Sequence, residues 1–372
     1  MSKRFYKYFF LYICLLFVQS GYSQELIHND TLRKDGKIHH FVLFPAVLHS
    51  PELSWAFGGA GSYYFKYSHK DSLVRTSYIQ ALGLATLRRQ LIFGFDGSIF
   101  FPNEAYILRL NGSASRFPDR FWGLGNNSLS SNLEHYTISQ YYLFPQLLRN
   151  VYKKFYVGIA YESQNVFSFE YGNPNGPSIF DTENVAGRKG SFTSGIGVML
   201  LWDSRNNAFS SSRGFYFQYY TNRFTNALGS QFNYSSHILD IRKYFTLGKT
   251  SVMACQFLGN FNIGDVPIRS MANIGSSSIM RGYYEGRYTD KDLIAVQTEL
   301  RQHLYKRFGM VLFAGVGRVA DSFSQFDFSG LKPSLGGGLR VAIDKSEKLN
   351  ARLDLGYGER SHGVYLNLAE AF

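Results

Sequence analysis

Few residues in this chain could carry bond-breaking chemistry, and their spacing argues against it. Its nine His include no H-E-x-x-H and no other metal-ligand spacing. His39-His40 reads as solvated polar sequence at the entry to the first strand, not as a zinc site. Ser276-Ser277-Ser278 lacks the G-x-S-x-G frame of a nucleophile elbow. Gly336-Gly337-Gly338 lies inside a strand pattern, whereas a phosphate cradle needs a strand-to-helix turn. Glycines within a strand instead mark a bend or a close backbone approach. Asp327, His303 and His362 are acids and imidazoles that could sit near a rim, and no spacing ties them together. The chain is therefore expected to be no enzyme, with no cofactor and no metal.

The elements that would position any site follow from composition. The chain has 372 residues, 45% hydrophobic, 17% aromatic and 18% charged, with 34 Phe, 27 Tyr and 36 Gly. That is charge-poor beside the roughly 25% of an average domain, and far from the signature of disorder. Residues 1–23 read as a secretory signal peptide. Lys3, Arg4 and Lys7 form the basic region, Tyr8 to Val18 the apolar one, and Gly21 and Ser23 precede a cut at Gln24. The apolar run is too short to span a bilayer, which takes about 20 residues. Of the two Cys, Cys14 leaves with the leader, so Cys255 has no partner for a disulfide within the mature chain. The formal net charge of +12 suits anionic lipid or lipopolysaccharide phosphate better than nucleic acid, which an exported chain rarely meets. Scattered Arg and Lys in loops and a lumen would give the same balance.

Beyond residue 40 the sequence alternates with period two. Leu91, Phe93, Phe95 and Ile99 share one face, and Ile92, Gly94, Asp96 and Ser98 the other. Phe155, Val157, Ile159 and Tyr161 alternate with Tyr156, Gly158, Ala160 and Glu162, and Phe215, Phe217 and Tyr219 with Tyr216, Gln218, Tyr220 and Asn222. These are strands with one apolar and one polar or small face. Aromatics near strand ends, such as Tyr63, Tyr64 and Phe65 or Tyr141, Tyr142 and Phe144, suit the girdles of an outer-membrane barrel. Only helices or closed barrels satisfy the backbone in a bilayer, so an all-β transmembrane antiparallel barrel over 41–372 is expected. Residues 24–40 are left as a short periplasmic segment. At roughly 20–25 residues per strand and connection, the chain supplies about 14–17 strands; an even number, about 16, is expected.

Four stretches then resemble one family. Ser278-Ile279-Met280-Arg281-Gly282-Tyr283, with Gly286 and Arg287, resembles the (V/M)RG(F/Y) motif of the BamA/TamA outer-membrane superfamily, also called the bacterial surface antigen family. Asp203-Ser204-Arg205-Asn206-Asn207, then Arg213-Gly214, resembles its D-x-R-(D/N)-N…RG strand and turn. Ala295-Val296-Gln297-Thr298-Glu299-Leu300-Arg301 and Val311-Leu312-Phe313 resemble the paired strands that follow, and Leu366-Asn367-Leu368-Ala369-Glu370-Ala371-Phe372 its closing strand. Weaker similarity runs through Phe44-Pro45…Ser50-Pro51-Glu52 and Phe117-Pro118-Asp119-Arg120-Phe121-Trp122-Gly123.

The resemblance implies a 16-stranded barrel whose sixth extracellular loop folds into the lumen with Arg281 at its tip. In the family that Arg meets acids on the next two strands. Glu299 matches the first; Gly315 stands where the second is expected, with Asp321 as a candidate substitute. Ser361-x-Gly363-x-x-Leu366-x-Leu368 and Phe372 fit the C-terminal signal by which barrel-assembly machinery inserts its clients, and Leu366, Leu368 and Phe372 also fit the lipid face of a closing strand. Family members that handle other proteins carry POTRA domains, for which 24–40 leave no room, so client capture would need a separate periplasmic partner. The resemblance thus implies a monomeric outer-membrane barrel of a Gram-negative bacterium. It would assist insertion or export of client outer-membrane proteins or lipids through a lateral seam; the alternative is a passive pore or structural barrel.

Overall fold

A computed structural model describes residues 38–66, 75–174, 176–344 and 348–372. The expected signal peptide lies outside them. Strands follow one another with almost no helix: β1 (Ile38–Ser50), β2 (Ser54–Lys66), β3 (Ser77–Thr86), β4 (Leu91–Phe100), β5 (Tyr106–Phe121), β6 (Glu134–Leu143), β7 (Gln146–Tyr152), β8 (Phe155–Tyr171), β9 (Ser191–Asp203) and β10 (Gly214–Phe224). They continue as β11 (Tyr234–Leu247), β12 (Ser251–Gly264), β13 (Ala272–Ile274), β14 (Tyr288–Asp290), β15 (Asp292–Tyr305), β16 (Phe308–Ala320), β17 (Lys332–Asp344), β18 (Leu349–Gly358) and β19 (Ser361–Leu368).

β6 and β7 are two lengths of one strand. Both pair with β5 on one side and β8 on the other. Phe144-Pro145 interrupts them because Pro145 has no N–H to give the ladder. β13 and β14 pair with each other, as a hairpin inside the long connection from β12 to β15, and Thr289 of β14 also bridges to Leu124 in the 122–133 connection. The remaining sheet closes as a barrel of sixteen antiparallel strands. Closure leaves no backbone edge to hydrocarbon except where two strands fail to overlap.

The expected alternation sorts side chains as the pleat requires. Leu91, Phe93, Val157, Ile159 and Tyr161 are exposed on the outer wall, while Tyr156, Ala160 and Asn222 are buried within. The aromatics depart from a pure girdle. Phe100, Phe144, Tyr156 and Tyr216 pack with Ile107, Leu148, Met199 and Leu201 in a lumenal cluster flanked by Tyr142 and Tyr220. Tyr142 donates to Glu162 Oε1 at 3.1 Å. Period two assigns a ring to a face; it does not say that the inner face is wet. Here much of the lumen is packed solid.

Long connections (122–133, 172–190, 225–233, 265–291 and 321–331) gather at one end of the barrel. Short turns such as 153–154, 248–250 and 306–307 lie at the other, which is the periplasmic end by the usual asymmetry of such barrels.

Candidate functional site

The connection 265–291 drops into the lumen, and its tip carries Arg281. That side chain is 1% exposed. Nη1 donates to Asp354 Oδ2 at 2.6 Å, Nη2 donates to Glu299, and the guanidinium carbon sits 3.6 Å from the centre of the Phe313 ring. Two carboxylates and a π-face replace the water that a buried guanidinium loses. The backbone around it is pinned as well. Gly282 N donates to Tyr365 OH (2.8 Å), Ser334 Oγ to Arg281 O (2.5 Å) and Met280 N to Gln297 Oε1 (3.2 Å). Tyr283 OH donates to Pro333 O at 2.6 Å and accepts from Glu359 N at 2.7 Å. Gly282 is required: its φ is +114°, and a Cβ there would stand 2.5 Å from the Tyr357 carbonyl carbon.

The second acid comes from an unexpected strand. Asp321 is half-exposed at the loop end and pairs with Lys291 at 2.7 Å, so it does not serve Arg281. Asp354 on β18 does. Its own neighbours are Arg340 Nη1 at 2.5 Å and Arg352 Nη1 at 2.9 Å. An acid at Gly315 would not fit, because a Cβ there would meet Gln297 Cβ at 2.9 Å and Met280 Sδ at 3.1 Å. The Gly336–Gly338 run gives the room: a Cβ at 338 would lie 2.0 Å from Asp354 Oδ1. A signal for Asp354 existed. Alternation in Leu349–Gly358 puts Arg352 and Asp354 on the inner face, and paired charges inside a membrane strand mark a site.

The network spreads from this pair. Glu299 also accepts from Arg301 Nε (2.8 Å), Glu370 accepts from Arg340 Nε (2.7 Å), and Arg301 Nη2 donates to Phe372 O (2.7 Å). Asp203 and Arg205 form a bidentate pair (2.9 and 3.1 Å), and Arg205 stacks on Tyr216 at 4.4 Å. Arg213 is exposed, and Gly214 begins β10 with φ +113°. Their turn reaches the Arg281 network through backbone: Arg301 Nη1 donates to Ser211 O (3.4 Å) and Glu370 N to Phe209 O (3.1 Å). The closing strand ends at Leu368, earlier than the motif suggests. Ala369 takes φ +61° and turns the chain inward, so Phe372 is buried beside Tyr244, Ala254 and Ala371. It is not on the lipid face. Leu368 is exposed, and a Cβ on Gly363 would collide with Tyr365 OH at 2.6 Å and Pro51 Cγ at 2.8 Å.

The barrel closes between β1 and β19 on a single registered pair, His49 with Leu366. His49 Nδ1 adds a bond to Val364 O at 2.8 Å. By contrast, β1 and β2 pair without a break from Ile38–Lys66 to Ser50–Ser54.

A cavity of about 410 Å³ lies between the loop, the β1–β2 turn and β5, with His49 and Asn367 on its wall. Three carboxylates line it: Glu52, Asp119 and Glu285. Glu285 N donates to Glu52 Oε1 at 2.7 Å, and Tyr284 OH donates to Asp119 Oδ1 at 2.9 Å. Glu285 is exposed to the cavity, yet the protein walls around it, then the negative charge of Glu52 and Asp119, push its carboxyl up to about 7, against an opposing pull from Arg269. A carboxyl raised on docking favours the docked loop while protonated. That contribution is complete below its ordinary value of 4.5 and fades as pH rises through about 7. Loop docking, read as protection of 275–287 from protease, is thus expected to weaken between pH 5 and 8, and Glu285→Gln to flatten the profile. An unchanged slope in the variant would assign the dependence elsewhere. Among the described residues no three His, Cys, Asp or Glu converge as a metal ion would need.

The geometry has counterparts. The Omp85 superfamily domain matches residues 57–358. BamA from Haemophilus ducreyi, lacking POTRA domains 1–3, superposes with a TM-score of 0.56 at 11% identity, over 89% of this chain and 70% of that one. CdiB from Acinetobacter baumannii gives 0.56 at 12%, over 90% and 66%, and CdiB from Escherichia coli 0.54 at 9%, over 91% and 68%. At these identities the likeness is one of fold. No curated protein matches the chain in sequence.

Proposed function

The chain belongs to the Omp85 superfamily and is an integral β-barrel of a Gram-negative outer membrane, and on that premise we propose that it assists insertion or export of protein or lipid through the β1–β19 seam. The observation that carries this reading is the one-pair closure between His49 and Leu366, set against eight or more registered pairs at the other strand boundaries. In hydrocarbon, each unpaired backbone group costs several kcal/mol. A barrel that leaves one strand edge mostly unpaired therefore holds a place where an incoming strand gains what the lipid withholds. The Arg281 loop, held by Glu299 and Asp354, governs whether the lumen is closed. Outer-membrane lipid and lipopolysaccharide surround the barrel, and barrel-assembly machinery inserts it through the β19 signal.

A passive pore is the weaker reading, because buried rings and ion pairs fill the lumen where a conducting path would run. Reconstitution separates the two. Liposomes containing the purified chain are expected to speed the folding of a small outer-membrane β-barrel over empty liposomes while conducting little. Steady conductance with no acceleration, with or without periplasmic extract, would overturn the assembly reading in favour of the pore.

A further inference from the structure

Phe44-Pro45 falls in the middle of β1, and a proline within a strand has positional meaning. The direction of its backbone can be read from a neighbour. Leu87 N donates to Trp55 O at 3.0 Å, so the odd-numbered residues of β2 point their backbone groups at β3. Trp55 faces His49 and Gly59 faces Pro45 in register. Pairs of that parity exchange no bonds across β1–β2, so the odd residues of β1 direct theirs to the opposite edge, where His49 meets Leu366. Along that edge Val47, Pro45, Leu43 and Phe41 have no registered partner among the described residues. Phe41 and Leu43 are exposed on the outer wall, which places this edge against hydrocarbon. It offers N–H donors at Phe41, Leu43 and Val47, and none at Pro45.

The outer wall is bare at the same level. Gly59 lies beside Pro45 and Gly83 beside Gly59, flooring a groove of about 480 Å³ bordered by Leu43 and Phe93. Cross-strand side-chain pairs are what stabilise a sheet; at the level of Pro45 neither the ring's own edge nor the glycines behind it on β2 and β3 supply a large side chain for an added strand to pack on.

We infer that Pro45 is a pairing stop: it divides the open β1 edge, so that an antiparallel strand from another membrane β-chain, taking His49 from Leu366 as the seam parts, is held only along Val47–His49 and can leave again. This deepens the seam reading and rests on it. A strand paired over all of Phe41–His49 would make a continuous ladder in a medium without competing water, and would be released slowly. With a donor missing and the pyrrolidine ring standing where an incoming carbonyl would approach, the ladder breaks after its first rungs.

The probe is a fluorescent peptide of residues 361–372, carrying photo-crosslinkers, added to the purified full chain in lipid nanodiscs. Folding of every variant is checked by heat-modifiable gel mobility. On wild type, cross-links are expected at Val47 and His49 with rapid dissociation. Pro45→Val restores the donor; it is expected to lengthen the peptide's residence about tenfold or more and to extend cross-links to Leu43 and Phe41. Val47→Pro moves the stop one rung nearer the seam and is expected to shorten residence, a test that stands even if Pro45→Val does not fold. Equal residence and identical cross-links in wild type and both variants would overturn the stop. A peptide that binds none of them would instead overturn the seam as a strand acceptor, and the stop with it.

Discussion

Arg281→Ala should release the loop tip, raising single-channel conductance and lowering thermal stability together. Among the described residues, the buried guanidinium is the only cation of the loop that pairs with both carboxylates, Glu299 and Asp354. Removing it leaves a void over Phe313 and weakens the hold on two acids that lie fully inside the lumen. Breaking one partner of a buried ion cluster costs about 3–5 kcal/mol. The lower part of that range is expected here, because Glu299 keeps Arg301 and Asp354 keeps Arg340 and Arg352. Arg281→Lys separates charge from geometry: an ammonium cannot span two carboxylates as a planar fork does, so it should restore only part of the loss. Conductance and the heat-modifiable gel transition measure both effects. If Arg281→Ala matches wild type in both, the loop is held by its other contacts from Met280 to Glu285, and the arginine has no part in closing the lumen.

The second large effect is expected at the seam. In a Cys255→Ser background, His49→Cys with Leu366→Cys joins the one registered pair between β1 and β19. Facing residues across an antiparallel ladder have Cβ atoms about 4.5–5.5 Å apart, and a disulfide needs about 3.5–4.5 Å, an adjustment that a seam held at one rung can make. Oxidation is expected to abolish acceleration of client folding and reductant to restore it, with conductance unchanged throughout. Tyr219→Cys with Leu239→Cys, a facing pair within a full ladder, supplies the control and should leave acceleration intact. Full activity in the oxidised seam variant would show that clients do not pass between β1 and β19, and the assembly reading would then need another route.

These two results bear on different halves of the molecule, and the halves were unequally legible. The inward and outward assignment of Tyr156, Ala160, Val157 and Ile159 was open to reading because side chains alternate along any strand, wherever its partners are. The number of strands followed from length and the residues each crossing consumes. Glu299 could be named as a partner of Arg281 through the motif order, but Asp354 could not, since it lies on β18, two strands beyond β16 where the second acid was expected. Its approach depends on the absence of a side chain at Gly338 and on Met280 filling the space beside Gly315.

The sequence by itself determined a membrane barrel with an apolar wall and a chemically varied interior, because period two and the cost of unpaired backbone in lipid are local constraints. Tertiary structure alone decided how that interior is filled: Phe144 and Tyr156 packed as a core, Phe372 turned in from β19 rather than out to lipid, and three carboxylates gathered around one cavity. It also decided the seam. A ladder's length depends on where two strands distant in sequence come to overlap when the barrel closes, and β1 and β19 overlap at one residue pair. Nothing in either strand's own pattern records that offset, because each reads as a complete strand until its partner is in place.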